Sequence, residues 1–168
     1  MLTPCSRRLA ALAMVLLVPV LGACQYQTDQ VYQPSVGVNN RDGTVDVLGA
    51  VVVSTSFSSG TFVASLVNKD LEEPDALTTV TGEGVEAQVA APVQIKPESL
   101  VNLADTGAVG VAGDDIRPGN FVRLTLGFQS GQKTEVNVPV VPADSVYATV
   151  KPASPPSSSN SPSPSPSP

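Results

Sequence analysis

The chain has 168 residues, with 15 acidic and nine basic side chains, no His, no Trp and two Met, enough for one globular domain and hardly for two. Met1, Met14 and Cys5 all lie inside a segment that reads as a cleaved signal, so the mature chain would keep no His, no Met and the single thiol of Cys24, an inventory that removes most soft-ligand metal chemistry and nearly all the usual general-base and thiol chemistry. With Arg7 and Arg8 gone as well, seven basic residues face 15 acidic ones, a net charge of −8 that disfavours nucleic acid and gives no basic patch for anionic lipid.

In chain order, Arg7 and Arg8 without an acid, followed by the apolar run from Leu9 to Leu21, form the charged and apolar regions of a secretory signal. A membrane-spanning helix needs about 20 apolar residues, more than this run offers. Ser6-Arg7-Arg8-Leu9 is followed by Ala10 and Ala11, which fit ordinary Sec export better than the twin-arginine route. The run closes on Leu21-Gly22-Ala23-Cys24, which resembles the lipobox of bacterial lipoproteins. The resemblance implies that residues 1–23 are a signal peptide cut before Cys24. It also implies a diacylglycerol on the Cys24 thiol, with palmitate-type acyl chains, and no other cofactor is expected. Two or more acyl chains anchor a protein stably where one does not, so the expected location is the extracytoplasmic face of the cell membrane, held by lipid alone.

Residues 24–34 follow as a tether, rich in Gln (Gln25, Gln27, Gln30, Gln33) with Tyr26 and Tyr32 between. About ten such residues reach roughly 17 Å, enough to hold a domain just off the headgroups.

Residues 35–151 are patterned as β-structure throughout. Val45, Val47 and Val51 to Val53 form one β-branched block, and Thr61 to Val67 form a second between Ser58-Ser59-Gly60 and Asn68-Lys69-Asp70. Ala76 to Thr81, Val85 to Ala90, Val93 to Ile95 and Leu100 to Leu103 are shorter candidates. Val122, Leu124, Leu126 and Phe128 alternate with Phe121, Arg123, Thr125 and Gly127, and Ser130-Gly131-Gln132 then turns the chain into Val136, Val138 and Val140. This period of two on both arms marks a hairpin. Pro139 in the second arm predicts a sheet edge or an early end to that strand. Many short strands with turn residues between them predict an all-β antiparallel sandwich or small barrel. Its core is Ala and Val; Phe57, Phe62, Phe121 and Phe128 are the large anchors, with Phe62 and Phe128 the core candidates. Residues 152–168 are almost wholly Ser and Pro, which cannot bury apolar surface and reads as a disordered, extended tail. A solvated tail is the simpler reading; a cell-wall spacer or an O-glycosylated stalk is the functional one.

Two stretches are similar to the periplasmic copper chaperones called PCu(A)C: Phe62 to Lys69 followed by Glu72 to Val80, and Asp114 to Phe128, with Val136 to Val140 fitting the last strand of that family. Actinobacterial lipoproteins of the LpqE-like group share this domain plan and a lipidated start. The resemblance, over roughly Val45 to Val141, implies a cupredoxin-like sandwich of Greek-key type and a copper site of two His and two Met. At the corresponding places the chain reads Thr106 to Val111 and Glu86 to Val89, without an imidazole or a thioether. Those are the donors that select copper, so the fold and location are expected and copper is not.

Asp70, Glu72, Glu73 and Asp75 crowd one loop where a hard cation would find oxygen ligands; without an Asp-x-Asp-x-Asp-Gly framework it reads as a solvated acidic loop. Asp114 and Asp115 read as turn formers. Ser54, Ser56, Ser58 and Ser59 lack a nucleophile elbow and a His partner, and no two acids are marked as a glycosidase pair. The expected function is therefore a non-catalytic accessory module contacting a membrane or envelope protein, with a respiratory oxidase or its assembly machinery first among the partners the resemblance implies. The alternative is an envelope structural or small-ligand lipoprotein whose tail is directed at the cell wall. A metallochaperone with carboxylate ligands ranks below both.

Overall fold

The computed structural model describes residues 36–156. The signal, the lipobox residues Leu21, Gly22, Ala23 and Cys24, the tether and the tail from 157 on lie outside the described residues.

Ten strands follow one another: β1 (Val38–Asn40), β2 (Val45–Ser56), β3 (Ser59–Asn68), β4 (Asp75–Gly82), β5 (Glu86–Val89), β6 (Val93–Ile95), β7 (Leu100–Asn102), β8 (Val109–Ala112), β9 (Phe121–Phe128) and β10 (Lys133–Pro142). Single 3-10 turns occupy Leu103–Asp105 and Ser145–Tyr147. The strands run in the order β5-β8-β3-β2-β10-β9-β4-β6, with β1 beside β2 and β7 beside β3. The expected all-β sandwich is what the chain forms, but its pairing is mixed, because β10 joins β2 in parallel while the other pairs are antiparallel.

Strand β10 is the piece that turns one sheet into two layers. From Lys133 to Pro139 it pairs with β9, and from Val140 to Pro142 it pairs with β2. Pro139 therefore sits at the change of partner inside the sheet, where an edge was expected. Val140 N–H donates to the Asn120 carbonyl and the Val140 carbonyl accepts from Gly119 N–H. Backbone groups alternate sides along a strand, so the donor that Pro139 lacks would have pointed away from β9, on the side where β2 has not yet begun to pair.

The long strand β2 contributes side chains to two cores and carries a bulge. Leu48 opposes Ser65 and Val51 opposes Val63, so Gly49 and Ala50 together face Ala64. Gly49 takes φ +62°, a left-handed conformation that suits glycine at this kind of bulge. The extra residue inverts the alternation. Val45 and Val47 before it and Ala50 and Val52 after it all enter the main core, while Val51 and Val53 face the opposite side. Leu66, Leu77, Ile95, Val109, Val111, Leu124, Leu126, Val136 and Val138 fill the main core around Phe62, which is fully buried, and Phe128. Phe57 and Phe121 are no anchors: they are 93% and 62% exposed. Phe57 rides the tip of the β2–β3 hairpin, and Phe121 lies on the outer face of β9, where the alternation places it.

Candidate functional site

The two stretches that the resemblance equates with copper-binding positions meet in space. Strand β5 pairs with β8 in the register Glu86 to Ala112, Ala87 to Val111, Gln88 to Gly110 and Val89 to Val109. Side chains directly opposite one another share a face. Ala87, Val89, Val109 and Val111 thus point inward and pack on the main core, which leaves Glu86, Gln88, Gly110 and Ala112 for the outer face. That face offers one carboxylate, one carboxamide, a methyl group and a bare backbone, and the chain has no His at all. Copper selects thioether and imidazole donors; the residues present do not fit it. Among the described residues no three His, Cys, Asp or Glu side chains gather to hold a metal ion.

Around Gly110 the outer face is covered by the chain itself, while Glu86 and Gln88 stay exposed. It continues across β3 and β2, where Thr61 lies opposite Gly110 and Val53 opposite Thr61. Val51, Val53, Val63 and Val141 form a second, smaller core there, against which Ala104, Tyr147 and Val150 pack. After a turn at Ala148 and Thr149, closed by Val150 N–H on the Tyr147 carbonyl, the chain runs on as a strap. Lys151 N–H donates to the Ala104 carbonyl at 3.1 Å, and Ala153 N–H donates to Thr61 Oγ1 at 2.8 Å. Thr61 is fully buried beneath it. Two glycines make the close approach possible. A Cβ on Gly107 would stand 2.9 Å from the Pro152 carbonyl oxygen, and one on Gly110 would run into that of Ser154. The first residues of the Ser/Pro segment, 152–154, are thus laid along the domain.

The acidic loop after β3 is built as a corner. Asn68, almost fully buried, donates from Nδ2 to the Glu73 carbonyl at 2.9 Å and accepts the Asp70 N–H at Oδ1. Asp70 Oδ1 accepts the N–H groups of Glu72 and Glu73, both at 2.9 Å. Those bonds, that from Glu73 first, hold the Asp70 carboxyl below its ordinary range. Asp75 leaves the group altogether. It is buried, with Oδ1 accepting Ala76 N–H and Ser130 N–H and Oδ2 accepting the Ser130 hydroxyl at 2.7 Å. One of the four acids expected to be solvated is therefore a tie between β4 and the β9–β10 hairpin. The signal for it in the sequence was a single Asp at the head of an apolar run, indistinguishable from a turn residue.

Two open depressions adjoin the β4–β5 turn. One, of about 510 Å³, is lined by Gly84, Val85, Glu86, Gly113 and Asp114 among others. The other, of about 400 Å³, lies between Glu83, Asp115, Phe121 and Arg123. Asp114 and Asp115 belong to the loop that carries Ile116 N–H back to the Gly113 carbonyl, in keeping with their reading as turn residues.

No family model and no curated protein matches the chain. Solved structures do. The apo PCuAC domain of PmoF1 superposes with a TM-score of 0.55 at 19% identity, over 61% of this chain and 98% of that one. A copper-bound PCuAC domain from PmoF2 gives 0.50 at 19% identity, over 62% of this chain and 98% of the other, and the apo form of that PmoF2 domain gives the same score and identity over 64% and 98%. At that identity the likeness is one of architecture, and the described domain has the cupredoxin-like fold of the PCuAC domains.

Proposed function

We propose that this chain is a lipid-anchored accessory protein on the extracytoplasmic face of the membrane, a PCuAC-fold relative that is not an enzyme and works through protein contacts without carrying copper. The observation that carries the reading is the outer face of the β5–β8 pair. Where the resemblance calls for His and Met it presents Glu86, Gln88 and Gly110, and the backbone of Ser154 closes over Gly110. A face of this composition lacks the donors that a copper delivery site needs. Cys24, acylated as the lipobox resemblance implies, would hold the domain at the membrane, and the clients of the resembled family make a respiratory oxidase or its assembly machinery the first partner to test.

The experiment is a gentle-detergent pull-down of the tagged full-length chain from its native membranes, with Cys24→Ser as control, read by mass spectrometry. Enrichment of oxidase or other respiratory subunits, lost in the control, is the expected result. A preparation free of any such subunit contradicts the reading and favours an envelope role centred on the Ser/Pro tail.

A further inference from the structure

We infer that the outer face of β3 and β8 is a docking groove for an extended Pro-Ala-Ser-Pro-type peptide, filled in cis by Lys151 to Ser154, and that a peptide of this chemistry can replace the strap. The inference goes beyond the accessory reading and is independent of the lipid anchor and of any oxidase.

Four features build the groove. Its floor at Gly107 and Gly110 lacks side chains, and any Cβ there would meet the strap's backbone. Glycine at Gly107 is also fitted to its φ of +60°, but Gly110 lies in a regular strand, where glycine weakens the sheet unless another backbone must come close. The close approach of Ser154 is that reason. Second, the groove recognises main chain: the Ala104 carbonyl takes the Lys151 N–H and the Thr61 hydroxyl takes the Ala153 N–H. Third, the peptide's composition agrees with this pattern. Pro152 and Pro155 bracket Ala153 and Ser154, and prolines pre-set an extended backbone that loses little entropy on docking. The donors the groove uses belong to the residues on either side of Pro152, which has none to leave unpaired. Fourth, the apolar end of the groove seats Tyr147 and Val150 on Val51, Val53, Val63 and Val141, which fixes the direction in which the peptide lies.

The hold is slight. Between residues 151 and 154 it consists of two hydrogen bonds and van der Waals contact with glycines, and such segments occupy the low-stability end of a fold's opening spectrum. Release of residues 151–154 would bare the Thr61 hydroxyl, the Ala104 carbonyl and the backbone of Gly107 and Gly110, a site of one extended segment's length.

The test keeps the full-length chain. Ala153→Pro deletes the N–H that Thr61 accepts and so weakens the cis occupant alone. A fluorescent peptide spanning residues 147–156 should bind this variant saturably, bind the parent chain at least tenfold more weakly because the strap competes, and fail to bind when Gly110→Val is added. Absence of binding to the Ala153→Pro chain, or equal binding to all three, overturns the inference. Amide exchange in the parent chain is a second reading that needs no variant. Lys151 and Ala153 should exchange more slowly than the same amides in a free peptide of residues 147–156, and exchange at the free peptide's rate would overturn the docked strap itself.

Discussion

The side chain of Gln132 clasps the backbone of Val45 at two points. Gln132 Oε1 accepts the Val45 N–H at 3.0 Å, and Nε2 donates to the Val45 carbonyl at 2.9 Å. A carboxamide thus completes the start of β2 as a neighbouring strand would, and it ties the β9–β10 turn to the other layer. A third bond, from Nε2 to Thr134 Oγ1 at 2.9 Å, locks the rotamer.

Gln132→Ala leaves both Val45 groups without their partners in a part-buried place. Each such loss costs about 1–3 kcal/mol, so chemical denaturation should show a loss of that order with an unchanged denaturant slope. Gln132→Glu keeps the acceptor and loses the donor when ionised, and its stability should recover on acidification as the carboxyl gains a proton to donate.

Asp75 to Ser130 is the second tie across the fold, made by a buried carboxyl. Asp75→Ala orphans the Ser130 N–H, the Ser130 hydroxyl and the Ala76 N–H together. The expected loss exceeds that of Ser130→Ala, which removes the bond to Oδ2 and the one the hydroxyl accepts from Gln132 N–H but keeps both bonds to Oδ1, because each buried donor left without its acceptor costs about 1–3 kcal/mol. Equal losses in the two variants would show that Oδ1 contributes nothing.

Asp70 contributes to the acid limb of the stability curve. Its folded-state carboxyl is held below the ordinary value of 3.8 by the Glu73 and Glu72 N–H groups. A depressed folded pKa contributes stability that is present above the unfolded value and is lost as pH falls through the folded one. Side-chain NMR titration should place the Asp70 midpoint below that ordinary value. Between about pH 5 and pH 2 the parent chain should lose more stability than Asp70→Asn does.

The four phenylalanines divide cleanly. Phe62→Ala opens a cavity in the main core and should cost about 3–5 kcal/mol, whereas Phe57→Ser, at a site 93% exposed, should stay within about 0.5 kcal/mol of the parent. Thermal denaturation of the pair checks both.

Alternation made the β9–β10 hairpin legible in the sequence, because one face of each arm is wet and the other buried: Val122, Leu124, Leu126 and Phe128 are all core residues. The β2 block was visible as β-branched chain, but its sidedness was not. Val51 to Val53 are buried on both faces, and the bulge at Gly49 shifts the alternation by one residue, which no period can report. The parallel pairing of β2 with β10 escaped because it joins segments almost 90 positions apart without a local turn to announce it. At the candidate site, the donors the chain lacks were readable from composition alone. What covers the face was not, since Gly107 and Gly110 resemble ordinary turn and strand glycines until the backbone of residues 151–154 is seen to need their space. Ser-Pro composition concealed the same contact from the other side, by marking Pro152 as the start of a segment with nothing to bury.

The most direct test is a Cu(I) competition titration, against a chromophoric chelator, of the chain from residue 24 onward with Cys24→Ser, which is free of the Met1, Cys5 and Met14 donors. The fold of a copper-bound PCuAC domain with an outer face of Glu86, Gln88 and Gly110 predicts that the chelator keeps all the copper, at every ratio of protein to metal. Withdrawal of one equivalent of Cu(I) by the protein would contradict the account and return copper handling to this domain.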